Sequence, residues 1–189
     1  METNNKDRII NEFIRLTNQE NFSKIHISNI CNNLNINRKL FYYYFDDKYE
    51  LLKFIYLRDL QNTFPVSQNV QVTWPNNARK MLTILKNKNR FYQHCLNNDN
   101  SLWEKIFTDH MQRHFSTLFI DLNTDKSQVD LNFYARFYAN GWTGLIKNWL
   151  LKGCPTNESD LINQFYDLIG FTKNYLTNLP TTRLLGNEN

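Results

Sequence analysis

Apolar residues recur at every third or fourth position along most of this chain, and nowhere do they alternate with polar ones between hairpin turns. A helical period without any two-residue period predicts an all-α fold of about nine helices and no sheet. Ile9, Ile10, Phe13, Leu16 and Thr17 share a face and predict a first helix over 6–19, with Asn21 as its C-cap. Ile27, Ile30, Cys31 and Leu34 predict a short second helix that breaks at Asn35, a residue that tolerates left-handed backbone. Asn37 is the expected N-cap of a third short helix running through Phe45. That helix buries Phe41 and Phe45 and leaves Arg38, Lys39, Tyr42, Tyr43 and Tyr44 outward.

Asp47 and Glu50 have capping-box spacing and open a fourth helix to about Thr63, where Pro65 stops it. Residues 65–73 read as a polar loop, after which Thr73 or Trp74 begins a helix with Pro75 in its first turn. A short helix follows from Asn89 to Leu96. Ser101 with Glu104 opens another to about Leu118. Ser127 with Asp130 opens a helix over 128–151 that Gly153, Cys154 and Pro155 end. Thr156 is the expected cap of a last helix carrying Leu161, Ile162, Phe165, Leu168, Ile169 and Leu176. The tail after Pro180 is expected to fray.

The helix over 128–151 is apolar on two sides. One stripe runs through Leu131, Tyr134, Ala135, Tyr138, Trp142, Leu145 and Trp149, the other through Phe133, Phe137, Gly141 and Gly144. Such a helix must be covered on both sides. It is either central within one subunit, or it pairs with its copy in a four-helix dimer contact shared with the last helix. The expected interface residues are Tyr134, Tyr138, Leu145 and Trp149, with Leu161, Phe165 and Leu168 from the last helix.

Composition narrows the function. No apolar run approaches the roughly 18 residues of a membrane helix, and the N-terminus lacks a signal-peptide core, so the cytoplasm is expected. Cys31, Cys95 and Cys154 have no metal-type spacing and are expected as reduced thiols. With five glycines, no phosphate loop, no nucleophile elbow and no paired-carboxylate motif, an enzyme is not expected, nor a cofactor or metal. Net charge is +4: nine Lys and Arg meet eight Asp and Glu across 1–59, five meet none across 60–98, and eight meet ten across 99–189. A two-turn helix with Arg38 and Lys39 at its start and phenols behind them suits a DNA groove.

The stretch Ile25–Leu52 resembles the helix-turn-helix of the TetR family of transcriptional regulators. It has the spacing of two short helices, the run Phe41-Tyr42-Tyr43-Tyr44-Phe45, and Lys48 three residues later. About a quarter of the chain carries the likeness in detail. Three positions depart from the usual pattern: His26 for a capping Thr, Asn35 for Gly, and Tyr44 for His. The resemblance implies a DNA-binding domain over 1–47 and a helical dimerisation and effector domain over 48–189. It places Arg38 and Lys39 at base edges, with Asn37 and Leu40 beside them. Tyr42, Tyr43 and Tyr44 fall at phosphate or sugar, and Lys48 with the helix start near Ile27 and Ser28 at phosphates.

The resemblance further implies a homodimeric repressor on a pseudo-palindromic operator in double-stranded DNA, released by a small-molecule effector of aromatic or lipophilic character. Tyr92, Trp103, Phe107, His110 and Trp142 are the expected effector contacts, with ordinary core packing as the alternative. Two other readings stay open. One is a regulator of this fold governed by a protein partner. The other is a metal sensor using His110 and His114, with His94 and Cys95 as further ligands.

Overall fold

The computed structural model describes residues 4–64, 70–98, 101–122 and 130–178, with side chains left aside at 70–72, 122 and 172–178. Among these residues there are nine α-helices and no strand: α1 (Asn5–Thr17), α2 (Ile27–Leu34), α3 (Arg38–Tyr44), α4 (Lys48–Gln61), α5 (Val70–Asn87), α6 (Asn89–Asn98), α7 (Ser101–Leu122), α8 (Leu131–Leu151) and α9 (Glu158–Asn178). A 3-10 turn, Phe22–Lys24, links α1 to α2. The chain divides into two compact units, Met1–Pro155 and Thr156–Asn189. Pro65, Asp99, Asn100, Ser127 and the tail after Pro180 lie outside the described residues, as does the side chain of Leu176.

Local capping sets most boundaries, and it shifts several expected ones. The N–H groups of Asn18 and Glu20 return to the carbonyls of Ile14 and Leu16 and close α1 at Thr17, so Asn21 precedes the 3-10 turn instead of capping α1. Asp47 accepts from the N–H groups of Tyr49 and Glu50, both at 2.7 Å, and starts α4. The Glu50 carboxylate answers on the N–H of Asp46, one residue short of the expected box. α5 begins at Val70, earlier than expected, so Pro75 sits in its second turn. Proline there cannot supply an N–H to the helical ladder, and its ring crowds the carbonyl one turn back. Asp130 itself caps α8 by accepting from Phe133 at 3.0 Å. In the second unit Asn157, and not Thr156, caps α9 by accepting from Asp160 at 2.8 Å.

The first unit is held by helix α8 lying along α7. Glu104 pairs with Lys147, the Thr108 hydroxyl donates to Thr143 at 3.0 Å, and Phe119 packs on Tyr134 and Tyr138. These pairs step in opposite directions along the two helices, so they run antiparallel. Trp74 of α5 fills the space beside them, 5.7 Å from Trp142 and 6.1 Å from Phe115 by ring centre. Rings of this size dominate core energetics.

α4 carries Asp59, the buried carboxylate among the described residues, at 4% exposure. Lys88, between α5 and α6, places its ammonium 2.6 and 2.7 Å from the two carboxylate oxygens, and the Tyr92 hydroxyl donates from 2.9 Å. Burial, and then the Asp59 charge, push the Tyr92 hydroxyl well above the usual phenol range, which keeps it a donor. Replacing Lys88→Met leaves an unpaired charge in the core. Urea denaturation should show roughly 3–5 kcal/mol of lost stability, and Asp59→Asn in the same chain should recover part of it.

Candidate nucleic-acid interface

The reading unit is built from the turn outward. Asn35 adopts the left-handed conformation (φ 52°, ψ 46°), its N–H returns to Asn32 at 3.1 Å, and that of Ile36 returns to Cys31 at 3.0 Å. Asparagine is one of the few side chains that accept this backbone without glycine. Asn37 then accepts from the Leu40 N–H at 2.8 Å and starts α3. Ile30 and Cys31 from α2, with Phe41 and Phe45, are buried and anchor the pair from behind.

On the other side Asn37, Arg38, Lys39 and Tyr42 are exposed, and Tyr43 is 78% exposed. Arg38 with Tyr42, and Lys39 with Tyr43, are four apart and share the outward face. Leu40 and Tyr44 are half-buried, and Tyr44 meets the edge of Tyr43 with ring centres 4.9 Å apart. The larger ring standing where histidine is usual is thus held by its neighbour. His26 precedes α2, and its N–H is capped by the Asn29 side chain at 2.9 Å. Ile27 and Ser28 are half-buried at the start of that helix. An open groove joins the starts of α2, α3 and α4 and is lined by Ile27, Ser28, Arg38, Lys48 and Tyr49, among others. Helix-start N–H groups beside an arginine suit an anion.

Lys48 has another engagement. Its ammonium donates to the carbonyls of Phe22, Ser23 and Ile25 at 3.0, 3.3 and 3.0 Å and lies over the Phe22 ring. Burial holds its pKa below the usual lysine value. An ammonium has three N–H donors, and here all three serve the turn before α2. Lys48 therefore braces the groove wall. Other braces carry weak sequence signals. Arg8 donates to the last carbonyl of α2, Leu34, at 3.1 Å. Asn33 donates to Glu12 at 2.7 Å, and the twin hydrogen bonds from Arg15 hold that carboxyl below its ordinary range. Of these, only the Glu12–Arg15 spacing is visible in the sequence.

In the body, Tyr92, Trp103, Phe107, His110 and Trp142 are all buried. They fall into separate clusters packed ring against ring. Tyr92 stacks on Tyr56 at 5.6 Å, Trp103 on Phe107 at 4.5 Å, and Trp142 meets Trp74. His110 and His114 sit 4.7 Å apart beside Phe64, and His110 Nε2 has no partner among the described residues. His94 instead reaches the Thr17 carbonyl through Nδ1, and Cys95 is buried, its thiol pushed up to about 12 by burial. No three His, Cys, Asp or Glu residues gather for a metal among the described residues. A second open groove lies on α7 at Asp109, Gln112, Arg113 and Ser116.

The dimer candidates divide by burial. Tyr138 and Trp149 are buried, and Tyr134 is half-buried against Phe119. The open side of α8 is the other stripe, Phe133 with Phe137 at 64% exposure and free space at Gly141 and Gly144, joined by Leu145, which the first stripe leaves exposed. On α9, Phe165 is buried, Leu161 is half-buried, and Leu168 and Phe171 are exposed. No helix among the described residues is long and apolar enough to cross a membrane.

The family described as transcriptional regulator C-terminal region matches residues 72–170, just over half of the chain. The fold is similar to that of the dihydroxyacetone kinase operon activator DhaS, with a TM-score of 0.73 and 21% identity over 88% of this chain and 94% of that one. It is also similar to the fatty acid degradation regulator FadR from Bacillus halodurans, with a TM-score of 0.66 and 11% identity over 89% of this chain and 96% of that one. No curated protein matches.

Burial is the main reason that the His110 and His114 imidazoles are both pushed down to about 4, with the neighbouring His114 and Arg113 adding to it at His110, and Arg113 at His114. The folded chain thus keeps both rings neutral while the unfolded chain protonates them near the ordinary value. Stability is present above about pH 6.5 and is lost as the pH falls toward 4. Thermal melts should show Tm dropping across this window, with a shallower drop in His110→Gln. An unchanged Tm would mean that the pair is not buried.

Proposed function

Because the chain belongs to the TetR family of transcriptional regulators, we propose that it is a homodimeric, sequence-specific DNA-binding protein that reads its operator with α3. The observation that carries this reading is the two-sidedness of α3. Phe41 is wholly buried, while Arg38, Lys39, Tyr42 and Tyr43 stand clear of the protein on the opposite face. Arg38 suits a bidentate contact to guanine, and Lys39 a base edge or phosphate. The hydroxyls of Tyr42 and Tyr43 suit phosphates, which fix register rather than sequence. The groove at Ile27, Ser28 and Arg38 would hold one phosphate, with Lys48 keeping its wall in place. Tyr44, Leu40 and Asn37 support the helix.

Two copies would meet through the open face of α8 at Phe133, Phe137 and Leu145; on α9 the family resemblance implies a contribution from Leu161 and Leu168, whereas Phe165 is already buried. A twofold dimer presents two reading heads, hence a pseudo-palindromic operator with half-sites about one helical turn or more apart. The protein would work in the cytoplasm, as a repressor released by an effector in its body. Such release requires unequal affinity of the ligand for the two states. The second reading, control by a protein partner, is favoured by the ring-on-ring packing of Trp103, Phe107, Trp142 and Tyr92, which would have to open for an effector to enter.

Arg38→Ala should weaken binding to the selected operator by roughly 1–3 kcal/mol and relax specificity at one position, while Lys39→Ala should weaken it. Fluorescence anisotropy measures both, and parental affinity in both variants would move the reading face elsewhere. Phe137→Glu should turn a dimer into a monomer in sedimentation equilibrium, since a charge on a covered apolar face is poorly tolerated. A dimer that persists in this variant would take α8 out of the interface.

A further inference from the structure

Residues 88–94 touch three other helices of the first unit in quick succession. Lys88 and Tyr92 hold Asp59 of α4. Phe91 meets Phe13 of α1 and Tyr56 of α4, both with ring centres 6.3 Å apart. Gln93 donates to the carbonyls of Leu150 and Leu151, at 2.9 and 3.2 Å, in the last turn of α8. His94 reaches the carbonyl of Thr17 at the end of α1. The start of α6 thus ties the helix proposed for the dimer contact to the two longest helices that support the reading unit.

Within this junction Asp59 differs in kind from its neighbours. Stacked rings can slide, whereas a carboxylate gripped by three directional donors fixes both position and register. Asp59 also lies near the far end of α4 from the reading unit. The helix rises ~1.5 Å per residue, so ~16 Å separates Asp59 from Lys48, and a tilt of ~10° about Asp59 would move the start of α4 by ~3 Å. One base pair rises ~3.4 Å along DNA, so a small angle there changes the spacing of two half-sites by about one step.

We propose that Asp59 is a positioning residue for DNA reading: held by Lys88 and Tyr92, it sets the angle of α4 and so the half-site spacing that the dimer accepts. This rests on the dimeric DNA reading proposed above. Enrichment of duplexes from a random pool by the full chain tests it, comparing the parent with Asp59→Asn, Tyr92→Phe and Arg38→Ala. Asp59→Asn and Tyr92→Phe should keep the parental half-site sequence and broaden or shift the preferred spacing by at least about one base pair. Arg38→Ala should do the reverse, relaxing the sequence at constant spacing.

If Asp59→Asn does not fold, Tyr92→Phe, which removes a single hydroxyl and leaves the Lys88 pair intact, carries the same comparison. Variants that melt at lower temperature yet keep the parental spacing overturn the proposal and leave Asp59 purely structural. A parent that enriches single half-sites overturns it together with the dimer, and one that enriches no duplex overturns the DNA reading as well.

Discussion

A carboxylate leaves water only if its oxygens are answered, and in this chain that requirement gathers three helical segments around Asp59. The acid sits on α4, the ammonium at the junction of α5 and α6, and the hydroxyl one turn into α6. Asp59 and Tyr92 are buried, and the half-buried Lys88 supplies the opposite charge from the edge of the core. Their meeting places α6 where Phe91 reaches α1, Gln93 reaches α8 and His94 reaches the end of α1. An apolar junction of equal volume could be as stable, or more so. What the polar one adds is direction: three hydrogen bonds to one carboxylate, the basis of the positioning role proposed for Asp59.

The same economy appears in the reading unit, where several charges are consumed internally. Lys48 serves three carbonyls, Arg8 serves α2, and Glu12 is shared by Arg15 and Asn33. Residues 1–59 are nearly neutral, with nine basic and eight acidic side chains. Affinity built on such a surface depends on a few placed groups more than on a broad positive field. In the proposed DNA reading those groups are Arg38 and Lys39 at the head of α3, with the exposed phenols of Tyr42 and Tyr43 behind them. The body gives the complementary picture: its aromatic residues are spent on packing, and His110 Nε2 is a buried polar atom without a hydrogen-bond partner among the described residues.

The sequence by itself determined the all-α class, the run of helices, and both faces of α3. It also located the left-handed turn at Asn35 and the caps at Asn37 and Asp47. These features are local: a cap, a turn or a face is settled by residues three or four apart, and the side chains that settle it are written next to one another. The shifted helix starts fall in the same range, where Asp130 and Asn157 outcompeted nearby alternatives by standing three residues before the N–H groups they serve. Tertiary structure decided what depended on distant partners. α8 offers two apolar stripes of similar strength, and the approach of α7 and α6, with Trp74 of α5, selected the one with Tyr138, Trp142 and Trp149 as inner, leaving Phe133 and Phe137 outside together with Leu145 of the inner stripe. Lys48 met its carbonyls, and Asp59 its lysine, across more than twenty residues of chain. No periodicity encodes such a meeting, because it exists only once the helices have packed.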